Sequence, residues 1–391
     1  MERLLGTRAY GIRTPIIGRG DDLSTIVADS VAKAVKVEGF SLHENDVIGI
    51  TEAVVAKSQG NFASLDDLAA DVKNKFPGGT VGLVFPILSR NRFVNILKGI
   101  ARGADKVYVL LQFPQDEVGN PVMDMNSIDD LEDQLQNTPI SGADFKKITA
   151  DYIHPFTGVN YIDLYESVGD NIEVFLSNDP RDILKLTSHV LVGEIHARNR
   201  TKTRLEKAGA QNVYTLSDLL SKPVNGSGYN PMYGVLGSNL DTKESLKLFP
   251  KDCEEFVEEV RQKIADRTGV APEVLVYGDG AFKDPVCGIW ELADPVVSPA
   301  YTDRLGGQPR EIKLKYVSEN LFGGLSADDK HKAITDLIKD KHLNGVEHAE
   351  GTTPRKFSDL LGSLCDLMSG SGDKGTPVIL IQGYFDDLSH K

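Results

Sequence analysis

Residues 10–23 read Y-G-I-R-T-P-I-I-G-R-G-D-D-L, and residues 46–61 read D-V-I-G-I-T-E-A-V-V-A-K-S-Q-G-N. Three glycines and Pro15 between Gly11 and Gly20 forbid a regular helix there and predict a loop. Asp21 or Asp22 then stands where a helix N-cap is needed. Leu23, Ile26, Val27, Val31, Ala34 and Val35 recur at helical spacing, so the following helix buries one face. Val47 to Thr51 reads as a buried strand, with Glu52, Lys57, Gly60 and Asn61 as polar and turn residues beyond it. A phosphate could lie between the loop's backbone N–H groups and Lys57. The bland alternative is that Gly20-Asp21-Asp22-Leu23 only caps a helix and Lys57 is a solvated lysine.

Working outward, 391 residues suggest two or three domains, each with enough chain for a core. Apolar residues make up 40% and charged residues 26%, as in an ordinary soluble protein, and no apolar run approaches the ~18–20 residues of a membrane span. No secretory signal follows Met1, and Cys253, Cys287 and Cys365 are too scattered for a disulfide framework or a zinc pattern. A cytoplasmic location is expected. The net charge of −14 argues against a nucleic-acid surface but not against a small nucleotide, which local groups can bind. There is no P-loop, no H-E-x-x-H and no G-x-S-x-G, and the eight histidines do not cluster.

After Asn61, Leu65–Phe76 reads as a helix stopped by Pro77-Gly78-Gly79. Strands are expected at 80–88, 106–112, 172–176, 189–195 and 213–216, and helices at 91–102, 180–186 and 202–208. A polar, acidic stretch covers 115–144. Strands alternating with helices indicate a parallel α/β layer. A weak internal repeat runs through it. Arg90-Asn91-Arg92 and Ala197-Arg198-Asn199-Arg200 each follow a strand and lead into a helix ending in Gly-Ala, at 103–104 and 209–210. Open α/β sheets bind ligands at such strand ends, and helix N-termini and guanidinium forks both favour anions. Arg90, Arg92, Arg198 and Arg200 are therefore candidates for an anionic substrate; the alternative is that they pair with this chain's many acids.

Pro223–Asn239 is glycine-rich and reads as a boundary. Asp252–Arg267 is an amphipathic helix stopped by Gly269, and Val274–Tyr277 a buried strand. That strand runs into Gly278-Asp279-Gly280, where a carboxylate on a glycine-rich loop can ligate a hard metal. Lys330–Lys341 carries a further helical pattern inside 323–352.

Several of these stretches resemble the coenzyme F-420 γ-glutamyl ligase family. Thr14-Pro15-Ile16-Ile17, Gly20-Asp21-Asp22-Leu23 and Ala56-Lys57-Ser58-Gln59-Gly60 are similar to its N-terminal motifs. Asp279 matches its metal-binding aspartate, Pro309–Tyr316 looks like one of its strands, and Asp366–Tyr384 looks like its closing loop and strand. The similar parts cover roughly residues 5–65 and 228–388. The resemblance implies nucleotide contacts, with GTP in the family, from Thr14, Pro15, Ile16, Ile17, Glu52, Ala53, Lys57, Asn239, Ser371, Gly372 and Asp373. It implies Mn²⁺ or Mg²⁺ held by Asp279, with Asp373 and Asp241 the nearest acids where family ligands are absent. Lys57 and Asp279 would carry the catalysis. It also implies a homodimer.

The expected fold is α/β, a ligase-like core made by 1–77 and 225–391 with an inserted parallel α/β subdomain at 78–224. The expected function is nucleotide- and metal-dependent formation of an amide bond between an amino acid, glutamate in the family, and a carboxylate substrate, through an acyl phosphate. The alternative is a non-catalytic nucleotide- or anionic-metabolite-binding protein on the same scaffold. A membrane or nucleic acid partner is not expected.

Overall fold

A computed structural model describes residues 5–88, 93–117, 119–125, 139–149, 152–154, 158–279, 296–307, 312–340, 356–369 and 375–386. The chain packs as two compact units, one formed by the residues up to Ser58 and from Asp252 onward, the other by Gln59–Lys251. The fold is α/β. No helix among the described residues is long and apolar enough to cross a membrane.

The first unit is built on a five-stranded sheet in the order β1 (Arg8–Ile12), β14 (Val378–Gln382), β2 (Val47–Thr51), β12 (Glu273–Asp279), β13 (Val296–Tyr301). The β2–β12 pair is parallel and the other pairs are antiparallel. Its central strands are buried on both faces, as their uninterrupted apolar runs require. The two faces separate with period two. Ile48, Ile50, Val274, Val276, Val378 and Leu380 meet helices Leu23–Glu38 and Cys253–Thr268. Val47, Leu275, Tyr277, Ile379 and Ile381 meet helix Phe357–Ser369. Each such fully buried aliphatic side chain contributes about 1.5–3 kcal/mol. Asp22 caps helix Leu23–Glu38 by accepting from the Thr25 N–H, and left-handed glycines at Gly39 and Gly269 end this helix and Cys253–Thr268.

The second unit holds a six-stranded sheet in the order β6 (Ile140–Ser141), β7 (Ile172–Leu176), β5 (Lys106–Leu111), β4 (Thr80–Val84), β8 (His189–Val192), β9 (Asn212–Thr215). All neighbours are parallel except β6 with β7. A smaller sheet joins β10 (Asn239–Thr242), β11 (Ser245–Lys247) and β3 (Phe62–Ser64).

Several local expectations change. β1 extends to Ile12, so the glycine-rich loop starts later than Gly11, because this stretch pairs with β14. The residues after β2 form helix Glu52–Gln59 and not a polar turn, since Ala53, Val54, Val55 and Ala56 let the chain bury a helical face before Gly60 turns left-handed. β4 stops at Val84, where Phe85 takes φ 53° ahead of Pro86. Pro180–Lys185 is 3₁₀, and Leu314–Tyr316 is a helical turn where a strand is expected. The compact inner unit is longer at both ends than the 78–224 segment, because β3 pairs with β11.

Gly49 lies in the middle of β2 on the face that helix Phe357–Ser369 covers, and a β-carbon there would run into Cys365 Sγ. Gly49→Ala should cost about 1–3 kcal/mol by overpacking, read as a lower urea midpoint at unchanged slope. Adding Cys365→Ala should recover most of that loss; strictly additive effects would show that the two do not meet.

Candidate functional site

The register of the first sheet brings distant chain segments to one edge. Ile12 is opposite Val378, Ile50 is opposite Val378 on the other side of β14, and Thr51 is opposite Tyr277. The C-terminal ends of β1, β2 and β12 therefore share an edge with the N-terminal end of β14. Backbone bonds fasten them: the Thr51 N–H donates to the Pro377 carbonyl at 3.0 Å and the Thr14 N–H to the Gly375 carbonyl at 3.4 Å. Gly11 presses on Thr376, which a β-carbon would approach to 3.0 Å. The Thr376 Oγ1 is buried and has no hydrogen-bond partner among the described residues.

The loop from Arg13 to Asp21 sits over this edge. Its own geometry uses some of the N–H groups that a phosphate could have taken. Gly18 N–H donates to the Asp21 carboxylate at 2.6 Å and Gly20 N–H to the Ser58 carbonyl at 2.8 Å. Ile17 is turned into the core, whereas Ile16 is 94% exposed and Pro15 is exposed. The Thr14 hydroxyl donates to the Pro15 carbonyl at 2.9 Å.

Glu52 begins the helix that leaves β2 and is only 4% exposed. Its side chain lies against Gly278, where a β-carbon would collide with Glu52 Cγ. Gly278 is thus a close-approach glycine against which the Glu52 side chain packs, one residue before Asp279, which ends β12. Ala53 is half-buried, and Lys57 lies in the last turn of this helix, ~7.5 Å along its axis from Glu52. Lys57 is exposed and pairs with no acid among the described residues. Cys253 is near enough for burial first, and then the Asp252 and Glu52 charges, to push its thiol up to about 12. A thiol so protonated is no nucleophile at neutral pH.

The other expected site residues belong to the second unit or lie outside the described residues. Asn239 and Asp241 belong to β10 in the second unit, and the exposed Asp241 accepts from the Ser245 hydroxyl at 2.9 Å. Arg198 and Arg200 open helix Arg198–Lys207 in that unit as well. Arg90, Arg92, Ser371, Gly372 and Asp373 lie outside the described residues. Among the described residues no group of three or more His, Cys, Asp or Glu could hold a metal. By residue type Glu52 and Asp279 are nevertheless hard oxygen donors, the donor chemistry of a divalent cation such as Mg²⁺ or Mn²⁺. Sequence reasoning takes Gly278 as part of a glycine-rich loop and Thr376 as part of a family-like stretch, but not their contacts with Glu52 and Gly11, which no local pattern signals.

The edge belongs to an enzyme of the ligase class. Residues 11–383, nearly the whole chain, match the family described as F420-0:Gamma-glutamyl ligase, and the chain belongs to that family. Comparison with curated proteins gives no match. Family membership supports the enzyme and not the binding-protein alternative.

Asp22 also anchors this edge to the helix behind it. It accepts from the Thr25 and Ser24 hydroxyls, both at 2.7 Å, from the Thr25 N–H, and from Lys263. These bonds, the Thr25 hydroxyl foremost, hold its carboxyl well below the usual carboxylate range. A depressed folded-state pKa stabilises the fold above about pH 4, and that contribution is lost as pH falls further. Asp22→Asn keeps a capping oxygen but removes the charge. The stability gap between wild type and variant should be widest at neutral pH and narrow below about pH 4, followed by urea midpoints; a gap constant with pH would contradict the assignment.

Proposed function

We propose that the chain joins an amino acid, glutamate by analogy with the family, to a carboxylate substrate at the cost of a nucleoside triphosphate, GTP by the same analogy. The observation that carries this reading is the convergence of loop 13–21, Glu52 with its helix, Asp279 and Gly375–Pro377 at one sheet edge of a γ-glutamyl ligase family member. In the reaction a substrate carboxylate oxygen attacks the γ-phosphorus and the bond to the β-phosphate oxygen breaks. The amine then attacks the acyl carbon, orthophosphate leaves, and the nitrogen gives up a proton.

Little covalent chemistry falls to the protein, so positioning and charge carry the rate. The Lys57 ammonium offsets charge on the transferred phosphoryl group. The Thr376 hydroxyl supplies a donor at the same edge. A divalent cation, Mg²⁺ or Mn²⁺, would be held by Asp279 and Glu52 and would neutralise phosphate charge when bound. The family analogy also supports a homodimer; a monomeric mass by light scattering at micromolar concentration would oppose it.

The test supplies triphosphate, divalent cation, glutamate and candidate carboxylate acceptors. Orthophosphate should appear in step with amide product, and amide formed without triphosphate cleavage would overturn the mechanism. Lys57→Ala should lower kcat on the order of 10²–10³-fold, the loss expected for one electrostatic group aimed at developing charge. Asp279→Asn should weaken cation-dependent nucleotide binding with the fold intact, and unchanged affinity by calorimetry would remove Asp279 from the site.

A further inference from the structure

A cavity of about 290 Å³ opens in the Gln59–Lys251 unit, where the chain enters the amino-terminal end of β7. Helix Phe93–Gly103 contributes Lys98, Ala101 and Arg102 to its lining. The stretch leading into β7 contributes Val168, Gly169 and Asn171, and the turn between β10 and β11 contributes Glu244. None of these residues belongs to the edge assigned above to amide formation.

Hydrogen bonds fix its lining. The Asn171 side-chain amide donates to the Ala101 and Ala104 carbonyls, at 2.9 and 2.8 Å, and so satisfies the end of the helix. Those two acceptors orient the amide, and its oxygen is left without a donor among the described residues. A β-carbon on Gly169 would come within 2.9 Å of that oxygen, so glycine keeps the space beside it open. Arg102 pairs with Glu244 at 2.7 Å and with Asp66 at 3.1 Å, and the Leu65 N–H donates to the Glu244 carbonyl at 3.0 Å. These bonds tie the β10–β11 turn to the two helices beside it.

Lys98 is the charge left over. It is half-buried and bonds to no group among the described residues. Its field still reaches Glu244, whose carboxyl is held below the usual carboxylate range by the Arg102 bond first and by the Lys98 charge after it. A single terminal nitrogen of Arg102 serves both acids, so the guanidinium keeps further donors. The lining thus offers an unpaired ammonium and spare guanidinium donors together with a carboxylate and a free amide oxygen. A simple anion would be repelled by Glu244 and a simple cation by Lys98. A zwitterion satisfies both signs at once, and Ala101 and Val168 give it an apolar contact. The volume is that of roughly ten water molecules, enough for an amino acid up to about the size of glutamate.

We propose that this cavity is a binding site for a free α-amino acid, its carboxylate held by Lys98 and the spare Arg102 donors and its ammonium by Glu244 and the Asn171 oxygen. Hydrogen bonds between charged groups are the strong ones, and here each end of the ligand has one. The site shares no residue with the triphosphate edge, so it stands or falls independently of the ligase reaction.

Calorimetry on the full chain, without nucleotide or divalent cation, tests this with L-glutamate and L-alanine. Each is compared with the acid that lacks its ammonium, glutarate or propionate. At least one amino acid should bind the wild type, and its matched acid should bind about tenfold or more weakly. Lys98→Met should weaken the amino acid about tenfold or more by removing one charge-assisted bond, and Lys98→Arg should largely retain it. Glu244→Gln, at an exposed position, should weaken it in the same way, and circular dichroism of both variants separates lost binding from lost fold. The proposal is overturned if neither amino acid binds, if the matched acid binds as tightly, or if folded Lys98→Met or Glu244→Gln binds like the wild type, which would place the ligand elsewhere.

Discussion

The pairing of β2 with β12 on one side and β14 on the other is the constraint on which the first unit depends. These strands come from residues 47–51, 273–279 and 378–382, so the loop-closure cost of bringing them together is met only when all are buried as one sheet. Both faces are covered by helices, and the central strands have neighbours on both sides. Once that register is set, the ends of β1, β2 and β12 and the start of β14 have no choice of edge. The loop over them, the Glu52 helix and the Gly375–Pro377 turn are placed by the same hydrogen bonds that hold the sheet.

This geometry also bears on how a chain of net charge −14 would take the phosphates proposed for this edge. Acids near the edge are largely committed. Asp22 is held by Thr25, Ser24 and Lys263, and Asp21 by the Gly18 N–H. Lys57 is left exposed at the end of its helix, where a cation is also favoured by the helix dipole. The described thiols are buried, burial raises the pKa of both Cys253 and Cys365, and Cys365 fills the space over Gly49.

The second unit can be carried within the first because its entry and exit lie side by side. The Gln59 side chain donates to the Lys251 carbonyl at 2.6 Å and accepts from the Lys251 N–H at 3.0 Å, and Asn61 reaches the Phe249 carbonyl at 2.6 Å. A segment whose ends meet closes on its own hydrophobic cores, here one on each face of the six-stranded sheet. The right-handed rule for parallel crossovers then explains why helices after β4 and β8, which wind in opposite directions, cover opposite faces.

The sequence by itself determined what depends on near neighbours. A cap at Asp21 or Asp22, which the structure gives to Asp22, and the Gly269 stop follow from local chemistry, and the apolar period of Leu23–Val35, the strands read at 47–51, 106–112 and 172–176 and the parallel character of the inner sheet follow from patterns a few residues long. Matches such as Thr14–Ile17 and Asp279 also pointed to the ligase family, since motifs are local too. Tertiary structure alone decided which strands pair, because Val47–Thr51 and Val378–Gln382 are both short apolar runs and either could pair with many others. It decided that the residues after Thr51 are helical, a choice made by packing where propensity is modest. It placed Glu52 against Gly278 and Thr376 against Gly11, contacts across more than two hundred residues that no local pattern records. The place of β8 beside β4 is of the same kind: two similar strand–helix–strand units read alike along the chain, and only their packing on opposite faces separates them.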